Sequence, residues 1–203
     1  MKTLTKEIQQ NITPKSAYDI LVEGNKRFAE NLKAQRNLQE QVRETSQGQF
    51  PFAVILSCID SRVPAELVFD QGIGDIFSVR VAGNIVNEDI LGSMEYACKV
   101  AGSKIVVVMG HTKCGAVNAA CNHVELGNIT ALLGKIKPVV DEFNADDNDM
   151  NDDEIEEVAH LNVEFSINRI RKESEILAEM EKEGEIKIVG AMYNVATGLV
   201  EFI

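Results

Sequence analysis

Four short, almost wholly apolar runs stand out along the chain, and segments with helical spacing separate them. The runs are AVILSC (53–58), DIFSVRV (75–81), KIVVVMG (104–110) and EIKIVGAMY (185–193). Uninterrupted rather than alternating apolarity is typical of strands buried on both faces, as in parallel sheets. Strands that alternate with helices favour an α/β fold. We therefore predict a mainly parallel central β-sheet flanked by α-helices.

The N-terminal part of the chain has a different pattern. Thr13 followed by Pro14 is typical of a helix N-cap and a first helical residue. Apolar residues then recur at helical spacing, at Ala17, Ile20, Leu21 and Phe28. We predict an amphipathic helical arm over residues 1–50 and a single α/β core over residues 51–203. Within the core, helices are predicted near 90–101, 115–121, 129–143 and 158–170.

Composition excludes several classes of protein. The 203 residues are 45% hydrophobic and 26% charged, which is typical of one globular domain. The N-terminus lacks an apolar signal region and no run approaches about eighteen apolar residues, so we expect a cytoplasmic protein without a membrane span. A net charge of −12 argues against binding to nucleic acid or anionic lipid surfaces. Four cysteines are too few for a disulfide scaffold, which points to metal binding or catalysis.

A strongly acidic stretch lies in the second half of the chain. Residues 141–164 contain eleven Asp and Glu and no Lys or Arg. Such runs are usually solvated loops or helix faces, and residues 141–154 are expected to form a loop. A cation or partner site in the 141–157 stretch remains the alternative.

Chemically active side chains follow the first and third apolar runs. Cys58 and Asp60 are two residues apart, so on a continuing strand they share a face, with Arg62 again in phase. His111 and Cys114 are three residues apart where the third strand turns into a helix. Both sets lie at the carboxyl ends of predicted parallel strands, where open α/β sheets place their ligands. We expect these side chains to meet there.

The donor set of these side chains predicts the metal. Two thiolates, one imidazole and one carboxylate match tetrahedral zinc, and soft sulfur favours zinc over magnesium or calcium. Each residue alone is typical of a core or hydrogen-bonded structural position, so the prediction depends on their conjunction. Cys98 and Cys121 lie among alanines on predicted helices and are interpreted as core residues. We expect one zinc ion per chain.

Several motifs together resemble the β-class carbonic anhydrases. They are EGNKRF (23–28), SCIDSRVPAE (57–66), SVRVAGN (78–84) and GHTKCGA (110–116). The resemblance implies a zinc lyase that reversibly hydrates carbon dioxide to bicarbonate and a proton by attack of zinc-bound hydroxide. It implies that Cys58, His111 and Cys114 are permanent ligands. Asp60 either fills the fourth position in a closed state or pairs with Arg62, forming a dyad that orients the hydroxide.

The same resemblance implies a substrate pocket and an oligomer. Gln49 would donate a hydrogen bond to a substrate oxygen, assisted by the backbone N–H of Gly115. Phe77, Ala82 and Tyr96 would form an apolar slot, partly supplied by a neighbouring subunit. From the residues alone, Gln49 is interpreted as an exposed loop amide and the other three side chains as core. A shared cleft requires a homo-oligomer, a dimer or a dimer of dimers, with the N-terminal arm packed on the neighbour.

Two other functions fit the same residues. A related zinc hydrolase acting on carbon disulfide or carbonyl sulfide would use the same metal ligands and differ in its access channel. A structural zinc or redox-thiol protein would have Asp60 closing the site permanently.

Arg80, in the second apolar run, is interpreted as a buried ion-pair partner.

Overall fold

A five-stranded sheet forms the centre of the protein. The computed structural model describes residues 3–146 and 148–203. The strands are β1 (Ala53–Ser57), β2 (Ile76–Arg80), β3 (Ile105–His111), β4 (Lys187–Tyr193) and β5 (Val200–Phe202). Their order is β2-β1-β3-β4-β5; the first four are parallel and β5 is antiparallel to β4. The predicted mainly parallel sheet is confirmed, and β5 is an addition that its three-residue pattern did not predict.

Helices connect and cover the strands. They are α1 (Lys6–Gln10), α2 (Pro14–Ala29), α3 (Leu38–Thr45), α4 (Ala65–Val68), α5 (Glu88–Glu95), α6 (Gly115–Cys121), α7 (Gly127–Leu133), α8 (Lys137–Phe143), α9 (Asp152–Glu173) and α10 (Glu175–Lys182). A 3₁₀ turn spans Ala82–Asn84, and a π-helical turn, Tyr96–Val100, extends α5. The single helix predicted over 129–143 is wrong: α7 ends before Gly134, and Pro138 lies in the first turn of α8. Proline lacks an N–H and clashes with the carbonyl four residues earlier, so one helix cannot continue through it.

Each face of the sheet contributes to its own apolar layer. On β1, Val54 and Leu56 pack with residues of α5, α6, α8, α9 and α10, whereas Ala53 and Ile55 face α2 and α4. All four residues are completely buried. This burial on both faces explains why the strands have uninterrupted apolar sequences.

Helix α2, in the predicted N-terminal arm, packs on the core of its own chain. Thr13 caps it and Pro14 is its first residue, as predicted. Its residues Ala17 and Leu21 are fully buried against the sheet of the same chain. These residues of the apolar face of α2 are therefore buried within the chain itself. Contact of the remaining arm with a second subunit stays a prediction.

The loop expected over residues 141–154 is present but shorter than predicted: residues 144–146 and 148–151 lie in neither helix nor strand. Residues 141–143 end α8, and α9 begins at Asp152 after the N-cap Asn151; Asp147 lies outside the described residues. Three acidic residues occupy the first turn of α9, where the positive end of the helix dipole stabilises them. The acidic composition thus reflects a helix start as well as solvation.

Helix α9 packs very close to the centre of the sheet. A Cβ atom on Gly110 of β3 would lie 2.7 Å from a methyl carbon of Val163 on α9, so only glycine fits there. Val163 is fully buried. This close contact places the polar side chains of α9 beside the carboxyl ends of β1 and β3.

Among the described residues, no helix is both long and apolar enough to cross a membrane.

Candidate metal centre

The carboxyl ends of β1 and β3 bring three ligand-type side chains together. Cys58 follows β1, His111 ends β3, and Cys114 is the residue before α6. One ligand atom from each lies within 4.8 Å of the others, and all three residues are buried. The predicted meeting of these side chains is therefore observed.

The ring of His111 is oriented for coordination. Its Nδ1 lies 2.9 Å from the carbonyl oxygen of Thr112. Since a carbonyl only accepts, Nδ1 must donate, which leaves Nε2 with a free lone pair. Nε2 is buried and has no hydrogen-bond partner among the residues that the structure describes. An orphaned ring nitrogen beside two thiols fits a metal ligand, and the Nδ1 contact is of the kind that usually orients metal-binding histidines.

The two thiols differ from the other cysteines in their ionisation. A hydrogen bond from Cys114 lowers the pKa of Cys58, and the backbone N–H of Gly83, 3.3 Å from Sγ of Cys58, lowers it further. The same shared hydrogen bond raises the pKa of Cys114. In contrast, burial raises the pKa of Cys98 to about 12, as expected of an inert core thiol. The pair thus holds one thiolate readily, which suits a soft metal.

A strained turn supplies the N–H donor to Cys58. Gly83 has φ +69°, and a Cβ there would lie 2.6 Å from Cδ1 of Ile136. The buried amide of Asn162 donates to the carbonyl of Gly83 at 2.8 Å, and the hydroxyl of Ser166 donates to the next carbonyl at 3.2 Å. Hydrogen bonds from helix α9 therefore stabilise the turn whose N–H faces the sulfur of Cys58. Sequence reasoning missed these residues because they lie about eighty positions away from their partners.

Asp60 and Arg62 contact each other directly at the edge of the ligand cluster. Arg62 Nη2 lies 2.7 Å from Oδ2 of Asp60. This hydrogen bond, together with one from the backbone N–H of Arg62, holds the pKa of Asp60 well below its usual range. Arg62 also donates to the carbonyl of Lys113 at 3.2 Å. The carboxylate of Asp60 is not part of the three-residue cluster, so in this structure it faces Arg62.

Arg80 corrects a further prediction. It is exposed, and among the described residues it does not form the expected buried ion pair. Its guanidinium donates to the carbonyls of Cys58, at 3.0 Å, and Asp60, at 2.7 Å. Arg80 therefore restrains the backbone between Cys58 and Asp60.

Comparison with known proteins identifies the family. The family model described as carbonic anhydrase matches residues 53–200. Carbonic anhydrase 2 of Mycobacterium tuberculosis is 36% identical over 195 residues, which cover 93% of this chain and 92% of that protein. The carbonic anhydrase of Mycolicibacterium smegmatis is 33% identical, with 94% of each protein covered. This chain belongs to the carbonic anhydrase family.

Solved structures place it in the β class of carbonic anhydrases. A β-carbonic anhydrase of Aspergillus fumigatus superposes with a TM-score of 0.74 at 25% identity, over 92% of this chain and 90% of that one. The β-carbonic anhydrase of Coccomyxa, solved with acetazolamide, gives a TM-score of 0.72 at 26% identity, over 89% and 83% of the chains. The fold expected from the motifs is thus confirmed.

The pocket residues expected from the carbonic anhydrase motifs fall into two groups. Gly115 follows Cys114, and Ala82 precedes Gly83, so both adjoin the candidate metal centre. Phe77 and Tyr96 contact each other, with ring centroids 6.2 Å apart, and line a surface cleft along β2 and α5. Tyr96 is 53% exposed and is not the core residue that its pattern suggested. The lining of that cleft does not include Cys58, His111 or Cys114.

Gln49 lies at the opposite edge of the sheet from the metal centre of its own chain. It precedes β1, whereas Cys58 follows it, and five residues of strand span about 16 Å. The carbonyl of Pro51 is anchored at the amino edge by the side chains of Gln9 and Ser103. Two residues of chain and one side chain are too short to cover that distance. Gln49 is exposed, as the sequence alone indicated.

Proposed function

We propose that this member of the family binds one zinc ion through Cys58, His111 and Cys114 and reversibly hydrates carbon dioxide to bicarbonate and a proton. The observation that carries the proposal is the buried, unpartnered Nε2 of His111, which converges on two thiols within 4.8 Å. A buried polar atom without a partner costs free energy unless something binds it. A tetrahedral site with two sulfur ligands and one nitrogen suits zinc.

Three protein ligands are the pattern of catalytic rather than structural zinc, because the fourth position is left for water. A zinc ion held by these three residues would act as a Lewis acid and lower the pKa of its bound water from about 15.7 towards about 7 in the most favourable case. Asp60 would close such a site only by leaving Arg62, its partner in this structure.

We assign Asp60 the role of orienting the nucleophilic water. Its lowered pKa keeps the carboxylate ionised, so it accepts hydrogen bonds and does not donate them. For the same reason it is a poor proton acceptor, and the released proton passes to solvent or buffer. Arg62 keeps the carboxylate charged and fixes its direction through a two-point contact.

Carbon dioxide is small and uncharged, so it needs an apolar slot with few polar groups. Ala82 and the backbone N–H of Gly115 adjoin the ligands and are assigned to this slot. Gln49, Phe77 and Tyr96 do not reach it within one chain. We therefore assign these three residues to the pocket of a neighbouring subunit.

A shared pocket makes the protein a homo-oligomer, a dimer or a dimer of dimers. The position of β2 at the edge of the sheet supports this, because an edge strand offers backbone groups for pairing. The division into an N-terminal arm, residues 1–50, and a core, residues 51–203, stays part of the proposal. The four cysteines are free thiols, in keeping with the cytoplasmic location that we propose.

The test combines metal analysis with stopped-flow hydration of carbon dioxide between pH 6.5 and 9. Wild type is expected to hold one zinc per chain and to be active. Cys58→Ser should lose zinc and activity, whereas Cys98→Ser, a change in a core thiol, should keep both. Zinc without hydration activity would refute the proposal and indicate a structural site. Activity on carbonyl sulfide or carbon disulfide alone would instead assign the related hydrolase.

A further inference from the structure

Lys113 holds an unusual backbone conformation between two ligands of the proposed zinc. Its φ of +54° lies in the left-handed region, which a residue with a Cβ adopts at a cost. It separates β3, which ends at His111, from Cys114 at the start of α6. The direction of the chain at Lys113 therefore fixes where Cys114 points relative to His111.

A carboxylate from a distant helix holds this turn. Glu156, in the second turn of α9, accepts a hydrogen bond from the backbone N–H of Lys113 at 2.6 Å. The other oxygen of Glu156 is buried and has no hydrogen-bond partner within residues 3–146 and 148–203. The carboxylate is thus committed to the turn, 43 residues away in sequence.

Lys113 also links Cys114 to the Asp60–Arg62 pair. The carbonyl of Lys113 accepts a hydrogen bond from Arg62, which in turn holds Asp60. If Lys113 relaxed to a negative φ, its carbonyl would turn away from Arg62, and Cys114 would shift with the following peptide. Both the ligand and the dyad depend on one backbone conformation.

We propose that Glu156 is a positioning residue of the metal centre, which fixes Lys113 in its left-handed conformation and thereby sets both Cys114 and Arg62. The inference rests on the proposed function, since it concerns the site that is to bind zinc. The hydrogen bond to the N–H is the operative contact. The charge of Glu156 strengthens that bond but is not itself required.

Four variants and one double variant separate this role from its alternatives. Glu156→Ala removes the acceptor, whereas Glu156→Gln keeps an oxygen that can accept from the N–H. Glu157→Ala, at an exposed position on the same helix, is the matched control. Lys113→Gly allows the left-handed conformation without strain, alone and combined with Glu156→Ala.

The readouts are the zinc dissociation constant by chelator competition, the visible spectrum of the cobalt-substituted protein, and kcat/KM. Glu156→Ala should weaken zinc binding about tenfold or more, as is typical when a group behind a metal ligand is lost, and should shift the cobalt spectrum. Glu156→Gln and Glu157→Ala should stay close to wild type. Adding Lys113→Gly to Glu156→Ala should restore most of the lost affinity and the spectrum.

Three results would overturn the inference. The first is that Glu156→Ala has the same zinc affinity and cobalt spectrum as Glu157→Ala. The second is that Glu156→Gln weakens zinc binding as much as Glu156→Ala, which would assign the effect to charge. The third is that the loss of zinc affinity in Glu156→Ala persists unchanged in the Lys113→Gly background together with a lower Tm, which would assign the loss to packing of α9. A wild-type protein that binds no zinc would refute the proposed function itself, before any variant is compared.

Discussion

The guanidinium of Arg62 meets the carboxylate of Asp60 at two points, with Nε 2.9 Å from Oδ1 and Nη2 2.7 Å from Oδ2. The backbone N–H of Arg62 adds a third contact, 2.9 Å from Oδ1. A planar fork of this kind fixes the plane of a carboxylate as well as its charge. The direction of Asp60 therefore depends on the shape of the Arg62 side chain.

Replacing Arg62 with lysine should separate shape from charge. Lysine keeps the positive charge but presents a single donor point, so Asp60 loses its fixed plane. We expect kcat to fall about tenfold or more while zinc content stays at one per chain, the scale typical of losing a group behind the site. Stopped-flow hydration with metal analysis measures both. Arg43→Lys, at an exposed position on α3, is the control, and a wild-type rate in Arg62→Lys would contradict the assignment.

Gly83→Ala should damage the turn that donates to Cys58. The new Cβ would lie 2.6 Å from Cδ1 of Ile136, and φ of +69° adds strain of about 1–2 kcal/mol. We expect lower stability in urea unfolding and weaker zinc binding, because the N–H moves away from the sulfur. Gly92→Ala is the matched control, since nothing lies within 4 Å of a Cβ there. Equal stability and zinc affinity in the two variants would show that the turn tolerates a side chain.

Asp70→Asn should change how stability depends on pH. Burial alone would raise the pKa of Asp70, but hydrogen bonds from Arg27, from the N–H of Ala34 and from Arg36 outweigh it and lower the pKa. The side chain is only 4% exposed, and each arginine lies 2.6 Å from it. Since the folded pKa lies below the unfolded value of about 3.9, this contribution is complete at neutral pH and is lost as the pH falls through both values.

Removing the charge of Asp70 takes away the carboxylate that Arg27 and Arg36 both bind. The free energy of unfolding at pH 7 should fall by about 3 kcal/mol, the scale for breaking a buried ion pair. The gap between wild type and Asp70→Asn should narrow as the pH falls below about 4, measured by urea unfolding at several pH values. Asp19→Asn, which breaks an exposed pair with Lys15, should have little effect. A gap that stays constant from pH 7 to pH 3.5 would contradict the role of ionised Asp70.

Mixed oligomers should reveal whose pocket Gln49 serves. Gln49→Ala and Cys58→Ser are each expected to be impaired as pure proteins. If Gln49 acts in the neighbouring subunit, a mixed dimer contains one site with an intact zinc ligand and an intact Gln49. Activity should then rise when the two variants are mixed under conditions of subunit exchange. No recovery, with mixed dimers verified by mass spectrometry, would exclude action across subunits.

Local patterns predicted the elements well where a single segment decides them. Uninterrupted apolar runs predicted β1 to β4, and Thr13 with Pro14 predicted the start of α2. Local patterns did not predict features that depend on contacts between distant residues. The apolar face of α2 packs on its own sheet, and the polar guanidinium of Arg80 is exposed and binds carbonyls. Both outcomes depend on what lies beside a residue, which its own sequence pattern does not contain.

The sequence by itself determined which side chains form the proposed ligand set. Cys58 follows β1, while His111 and Cys114 lie at and just after the end of β3, and the carboxyl ends of such parallel strands share one edge. Only the tertiary structure decided what holds those three side chains in place. Glu156 and Asn162 reach Lys113 and Gly83 across 43 and 79 residues because α9 packs against the sheet at Gly110. Hydrogen bonds from side chains to a distant backbone follow from packing, and no local periodicity encodes them.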